Sequence, residues 1–103
     1  WFDAVDAPDM GHGGPVETSL LLATDPELVR SDRLEASAAD AADSWGEFEH
    51  SVNLAYDTDE FSENGTVGDP RAASADRGTA LLDAASEALA DVLASVRDRC
   101  RNN

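Results

Sequence analysis

The chain predicts an α/β fold, and three patterns in its 103 residues point there. Leu81, Ala85, Leu89, Val92 and Val96 recur at helical spacing, as do Val16, Ser19, Leu20 and Ala23. Val52, Leu54 and Tyr56 alternate with Asn53, Ala55 and Asp57, the period-two pattern of a half-buried strand. Between a short apolar opening and the first helix lies a glycine-rich turn, the arrangement by which α/β folds leave a strand at its carboxyl end and present a site.

Taken in order, residues 1–5 read as the end of a buried strand, followed by a loop from Asp6 to Gly14. Residues 11–29 form a His-Gly turn and helix. Pro15 suits the first helical position because the N–H it lacks would have no partner there, and Asp25 caps a single turn begun by Pro26. Residues 31–50 are rich in Ala, Asp, Ser and Glu, with Trp45 and Phe48 as the large apolar groups. Ala36–Ala42 has helical propensity there but little to bury, so the stretch reads as an exposed acidic connection that adapts to a subunit interface. Residues 51–67 read as a strand and hairpin, with Asn64-Gly65 as the turn signal. Asp57, Asp59 and Glu63 resemble a calcium loop only loosely, since Phe61 occupies a ligand position, so a solvated acidic turn is favoured. The final helix spans 74–99, capped by Ser74, with Arg97, Arg99 and Arg101 at the end of its dipole that favours cations.

Composition bounds the chemistry. Leu, Val and Phe together make up about a fifth of the chain and Ile is absent, so the core is thin. Asp and Glu number 22 against seven Arg and no Lys, a net charge of −15. With 18 Ala, this composition resembles the proteins of extreme halophiles. Carboxylate repulsion on this scale opposes compaction until molar salt screens it to within about 3 Å. Folding is therefore expected to require molar salt. Circular dichroism across a salt series checks this; full helicity and cooperative melting in dilute buffer would exclude it.

The same surface repels phosphate backbones, which argues against nucleic acid as a partner. The longest apolar run, Leu20–Ala23, is far below the roughly 20 residues of a bilayer span, so no membrane partner is expected and the protein reads as cytoplasmic. Cys100 stands alone, without a disulfide partner or a neighbouring histidine.

The chemistry converges on His12-Gly13-Gly14. Glycines at 11, 13 and 14 free the backbone to adopt positive φ and approach a ligand, and an imidazole titrates near neutrality, as acid/base work demands. The run H-G-G-x-x-E-T-S-L-L-L-A from His12, together with Gly68-Asp69-Pro70 and Ala73-Ser74-Ala75 before the last helix, resembles the creatininase (creatinine amidohydrolase) family in order and spacing over most of residues 1–99.

That resemblance implies the C-terminal part, over 1–103, of a layered α/β/α domain of a longer protein. It implies an amidohydrolase acting on a non-peptide C–N bond of a small-molecule amide, cyclic amide or formamide, assembled as a homo-oligomer. It implies two divalent metal ions, Zn or Mn, whose ligands lie mostly on E-x-H and N-G-H motifs that this chain lacks, so none of its residues is assigned as a metal ligand and the chain alone is expected to be inactive. By resemblance His12 shuttles the proton, Asp9 binds a substrate N–H, Gly13 and Gly14 border the substrate, and Glu17 orients a metal ligand from behind. Gly11 and Pro8 depart from the residues typical of creatinine-hydrolysing members, which shifts the expected substrate toward a formylamino-pyrimidine nucleotide or a cofactor-precursor peptide. The alternative reading is a non-catalytic acidic module that associates through its exposed helices; it predicts no pocket near His12.

Overall fold

A computed structural model describes residues 10–103. The expected strand over residues 1–5 and the candidate Asp9 lie outside the described residues. Among the described residues three helices dominate: α1 (Pro15–Thr24), α2 (Leu34–Ala39) and α3 (Ala75–Asn102). Short 3₁₀ turns over Pro26–Leu28, Ser31–Arg33, Thr58–Glu60 and Pro70–Ala72 connect them. The strands are brief, β1 (Phe48–Glu49) and β2 (Val52–Asn53), and pair antiparallel. This mixed architecture is compatible with the α/β class, but the described residues do not form a three-layer α/β/α arrangement.

α1 begins at Pro15 and ends at Asp25, whose N–H bonds back to Leu21. α1 and α3 cross where Ser19 meets Gly78. Ser19 is fully buried; its Oγ donates to the Pro15 carbonyl at 2.5 Å and accepts the Ser74 N–H at 3.0 Å. Ser74 in turn caps α3 by accepting the Arg77 N–H. A Cβ at position 78 would stand 1.8 Å from the Ser19 carbonyl oxygen, so the helices meet backbone to backbone only because residue 78 has no side chain. Leu81 and Val16 fill the adjoining space and are almost fully buried.

The apolar stripe of α3 is covered only near its start. Leu81 is buried, Ala85 is half-buried, and Leu89, Val92, Leu93 and Val96 are all more than half exposed. Among the described residues no helix is long and apolar enough to cross a membrane.

The region between the helices departs from the sequence reading. Within the stretch expected to be an exposed connection, Leu34–Ala39 is helical and Ala42 runs alongside Val67. Of the expected half-buried strand over 52–56 only Val52–Asn53 forms, and it is not half-buried: Val52, Leu54 and Tyr56 are 59%, 64% and 93% exposed. Strand pairing is confined to two residues on each side of His50 and Ser51, both at positive φ. The chain beyond them is held by the Asn53 side chain, whose Oδ1 accepts the Glu47 and Ala55 N–H groups and whose Nδ2 donates to the Trp45 carbonyl. The side chain adds to one further backbone bond, from the Leu54 N–H to the Glu47 carbonyl, and alternation without a covering layer buries nothing.

Asn64-Gly65 does turn, but not into a hairpin. Asn64 Oδ1 accepts the Thr66 N–H, and its amide donates to the Ser37 carbonyl on α2. The chain then enters Val67, which forms isolated bridges to His12 on one side and Ala42 on the other. The acidic turn uses its carboxylates internally: Glu60 accepts the Tyr56 and Asp57 N–H groups.

Candidate functional site

Val67 fixes the backbone of His12. The His12 N–H donates to the Val67 carbonyl at 3.0 Å, and the Val67 N–H returns to the His12 carbonyl at 2.8 Å. Val67 is itself 2% exposed, so this exchange is sheltered. It also explains two of the glycines, for a reason other than ligand approach. A Cβ at Gly11 or Gly14 would lie 1.9 or 2.6 Å from the Val67 carbonyl oxygen. Of the three glycines in this turn only Gly13 is left-handed, at φ 61°. Gly14 is buried against Val67 and Gly68.

The two sequence motifs touch. Gly68, at φ 101°, donates its N–H to Ala42, and a Cβ there would come within 3.1 Å of the Pro15 ring. Asp69 caps the following turn by accepting the Arg71 N–H and is gripped by the Arg71 guanidinium through Nε and Nη2 at 2.8 to 3.2 Å. The Arg71 side-chain hydrogen bonds hold the Asp69 carboxyl below the usual aspartate range. The His-Gly turn and the G-D-P turn are therefore two walls of one structure.

The His12 side chain is left accessible, 63% exposed, with two neighbours. Glu17, one turn into α1, accepts the Gly13 N–H through Oε2 and places that oxygen 3.7 Å from His12 Nδ1. Glu17 thus braces the turn and faces the imidazole. Trp45 lies on another side, its ring centroid 6.0 Å from that of His12 and tilted 51°. Phe61 meets Trp45 edge-on at 6.4 Å. Thr18 and Ser19 bond to carbonyls of their own helix turn, as hydroxyls in helices do.

A cavity of about 340 Å³ opens between Gly11, Asp43, Trp45, Val67 and Asp69; His12 does not line it but packs against Trp45, which does. Sequence reasoning missed two of the residues that shape this region. Val67 carried no motif, and Trp45 was noted only as bulk in an acidic stretch; its one signal was a large aromatic where the surroundings offer little to bury.

The family model for creatininase, creatinine amidohydrolase, matches residues 2–93. The chain belongs to the creatininase family. No curated protein and no solved structure matches it. Membership makes amide hydrolysis the family chemistry, and creatininases are in general metal-dependent. Among the described residues no three His, Cys, Asp or Glu side chains converge to hold a metal ion. The described residues hold an accessible imidazole faced by Glu17, and a cavity lined by Gly11, Trp45 and Asp69.

Proposed function

We propose that the protein hydrolyses a non-peptide C–N bond of a small cyclic amide or formamide, with His12 transferring the proton. The observation that carries this reading is the fixed yet accessible imidazole: its backbone is tied to Val67 while its ring stands free between Glu17 and Trp45. The cavity adjoining Gly11 and Trp45 favours an enzyme over the non-catalytic acidic module, which has no use for one.

In the reaction, water adds to the carbonyl carbon, the C–N bond breaks, and the departing nitrogen takes a proton from His12 Nε2. The proton released by the water restores the imidazolium, so protons balance over one turnover. Glu17 beside Nδ1 favours the tautomer with hydrogen on that nitrogen and steadies the ring when it is charged. Among the described residues no cluster of side chains forms a site for the two divalent metals that the resemblance implies.

Hydrolysis of a panel of cyclic amides and formamides by the complete protein, followed by release of amine or ring-opened acid, tests the reading. Within that assay Glu17→Gln keeps an oxygen for the Gly13 N–H but loses the charge facing His12. It is expected to lower kcat by about 10- to 100-fold with KM nearly unchanged. Equal kcat in the variant would show that Glu17 serves only the turn.

A further inference from the structure

Two apolar surfaces of this molecule stand uncovered, and they carry opposite charge. One is the outer half of α3, where Leu89, Val92, Leu93 and Val96 are exposed; the other is the β1–β2 hairpin, where Val52 and Leu54 are exposed. We propose that the α3 surface of one copy docks on the hairpin of a second copy, so that the chain associates head to tail through two different faces. The proposal does not depend on the hydrolytic reading.

Three observations carry it. The first is the charge at the end of the α3 stripe. Leu89, Val92, Leu93 and Val96 share one side of the helix, and Arg97 follows Leu93 by one turn while Arg99 follows Val92 by two, so the stripe runs into two guanidinium groups. The second is the register of the hairpin. Phe48 pairs with Asn53 and Glu49 with Val52. Paired residues share a face and successive ones alternate, so Val52 stands beside Glu49 on the side away from Asn53, whose amide turns back to the Trp45 carbonyl. Leu54 continues the exposed surface, its N–H bonded to the carbonyl of Glu47. No arginine or lysine lies between Arg33 and Arg71, so this apolar patch is bordered by carboxylates without a permanent cation. The third is the match between the two. Apolar groups meet apolar groups while arginines meet carboxylates. Two α3 stripes laid against each other would lack that match, because Asp83, Glu87 and Asp91 lie on the opposite side of the helix. Molar salt screens the repulsion between two chains of net charge −15 to within about 3 Å, which leaves the pairs in direct contact and the apolar burial to act. Asn53 ties the hairpin to Trp45, which packs on His12, so the junction adjoins the site.

Sedimentation equilibrium of the full chain in molar potassium chloride tests it. The wild type is expected to exceed the monomer mass, because a head-to-tail junction leaves one surface of each kind free until a ring closes. Val96→Glu on the stripe and Leu54→Arg on the hairpin each set a like charge against the opposing surface, and each should weaken association at least about 10-fold. Arg99→Gln should weaken it by about 3-fold, while Glu87→Gln, on the far side of α3, should leave it unchanged. All four positions are exposed, and circular dichroism checks that each variant folds. The decisive sample is an equimolar mixture of Val96→Glu with Leu54→Arg. Each copy keeps the surface that the other has lost, so the mixture should form a dimer although neither variant does so alone. A monomeric wild type would leave the two faces to other occupants and overturn the proposal. Association that survives Val96→Glu or Leu54→Arg would overturn it as well, as would a mixture that stays monomeric, since a face that pairs with itself gains nothing from mixing.

Discussion

On the proposed amide hydrolysis, His12→Ala is expected to lower turnover by about 10²- to 10⁴-fold, the usual worth of a positioned acid or base, while the melting temperature moves by no more than about 2 °C. The two quantities separate because His12 holds the fold with its backbone and would act with its side chain. Both hydrogen bonds to Val67 run through main-chain atoms, which alanine retains. The imidazole is 63% exposed, so its removal leaves no buried cavity. What disappears is the group facing Glu17 and Trp45. Parallel measurement of rate and thermal melting decides the matter: a variant whose activity falls only in proportion to its folded fraction would make His12 a structural histidine.

The largest effect on stability is expected at Gly78. Helix propensity alone predicts that Gly78→Ala stabilises α3 by about 1 kcal/mol, because glycine is a poor helix residue. The packing predicts the opposite sign. The new methyl would lie 1.8 Å from the Ser19 carbonyl oxygen and 2.9 Å from the Ala23 Cβ, and neither can rotate aside. α1 and α3 must separate, loosening Val16, Ser19 and Leu81, which form much of a small core. A net loss of about 3 kcal/mol is expected, lowering the melting temperature by about 10–20 °C. Thr79→Ala is the control. Thr79 is exposed on the same turn and bonds only to its own helix, so alanine there should be neutral or slightly stabilising. Denaturation of both variants in molar salt gives the comparison, and a stabilised Gly78→Ala would show that the helices do not meet there.

Much of the helical framework was legible because its signals are local. Pro15 marks the start of α1, Ser74 the cap of α3, and the spacing of Leu81 onward its apolar face. The alternation of Val52, Leu54 and Tyr56 misled because period two reports a side-chain pattern and not the presence of a second layer; here the Asn53 side chain satisfies the neighbouring backbone instead. In the site, His12 and Glu17 were legible through their spacing across a helix start. The glycines were legible as necessary, but the Val67 carbonyl that excludes a side chain at Gly11 and Gly14 was not. Nothing local announces that Val67 will lie against His12, or Trp45 beside it. Those contacts join distant parts of the chain, and a pattern read within one window does not contain them.

The same distance shapes how the site forms in time. Val67 joins the His12 strand edge to Ala42, three stretches that local structure alone does not bring together. Closing such loops costs chain entropy before any of the bonds contributes, whereas α3 gains its hydrogen bonds turn by turn. The imidazole thus receives its fixed position late in folding, after the helices have formed. In a growing polypeptide His12 is made before Val67, and no formed site exists until the segment that ends at Val67 has been made and has folded back onto it.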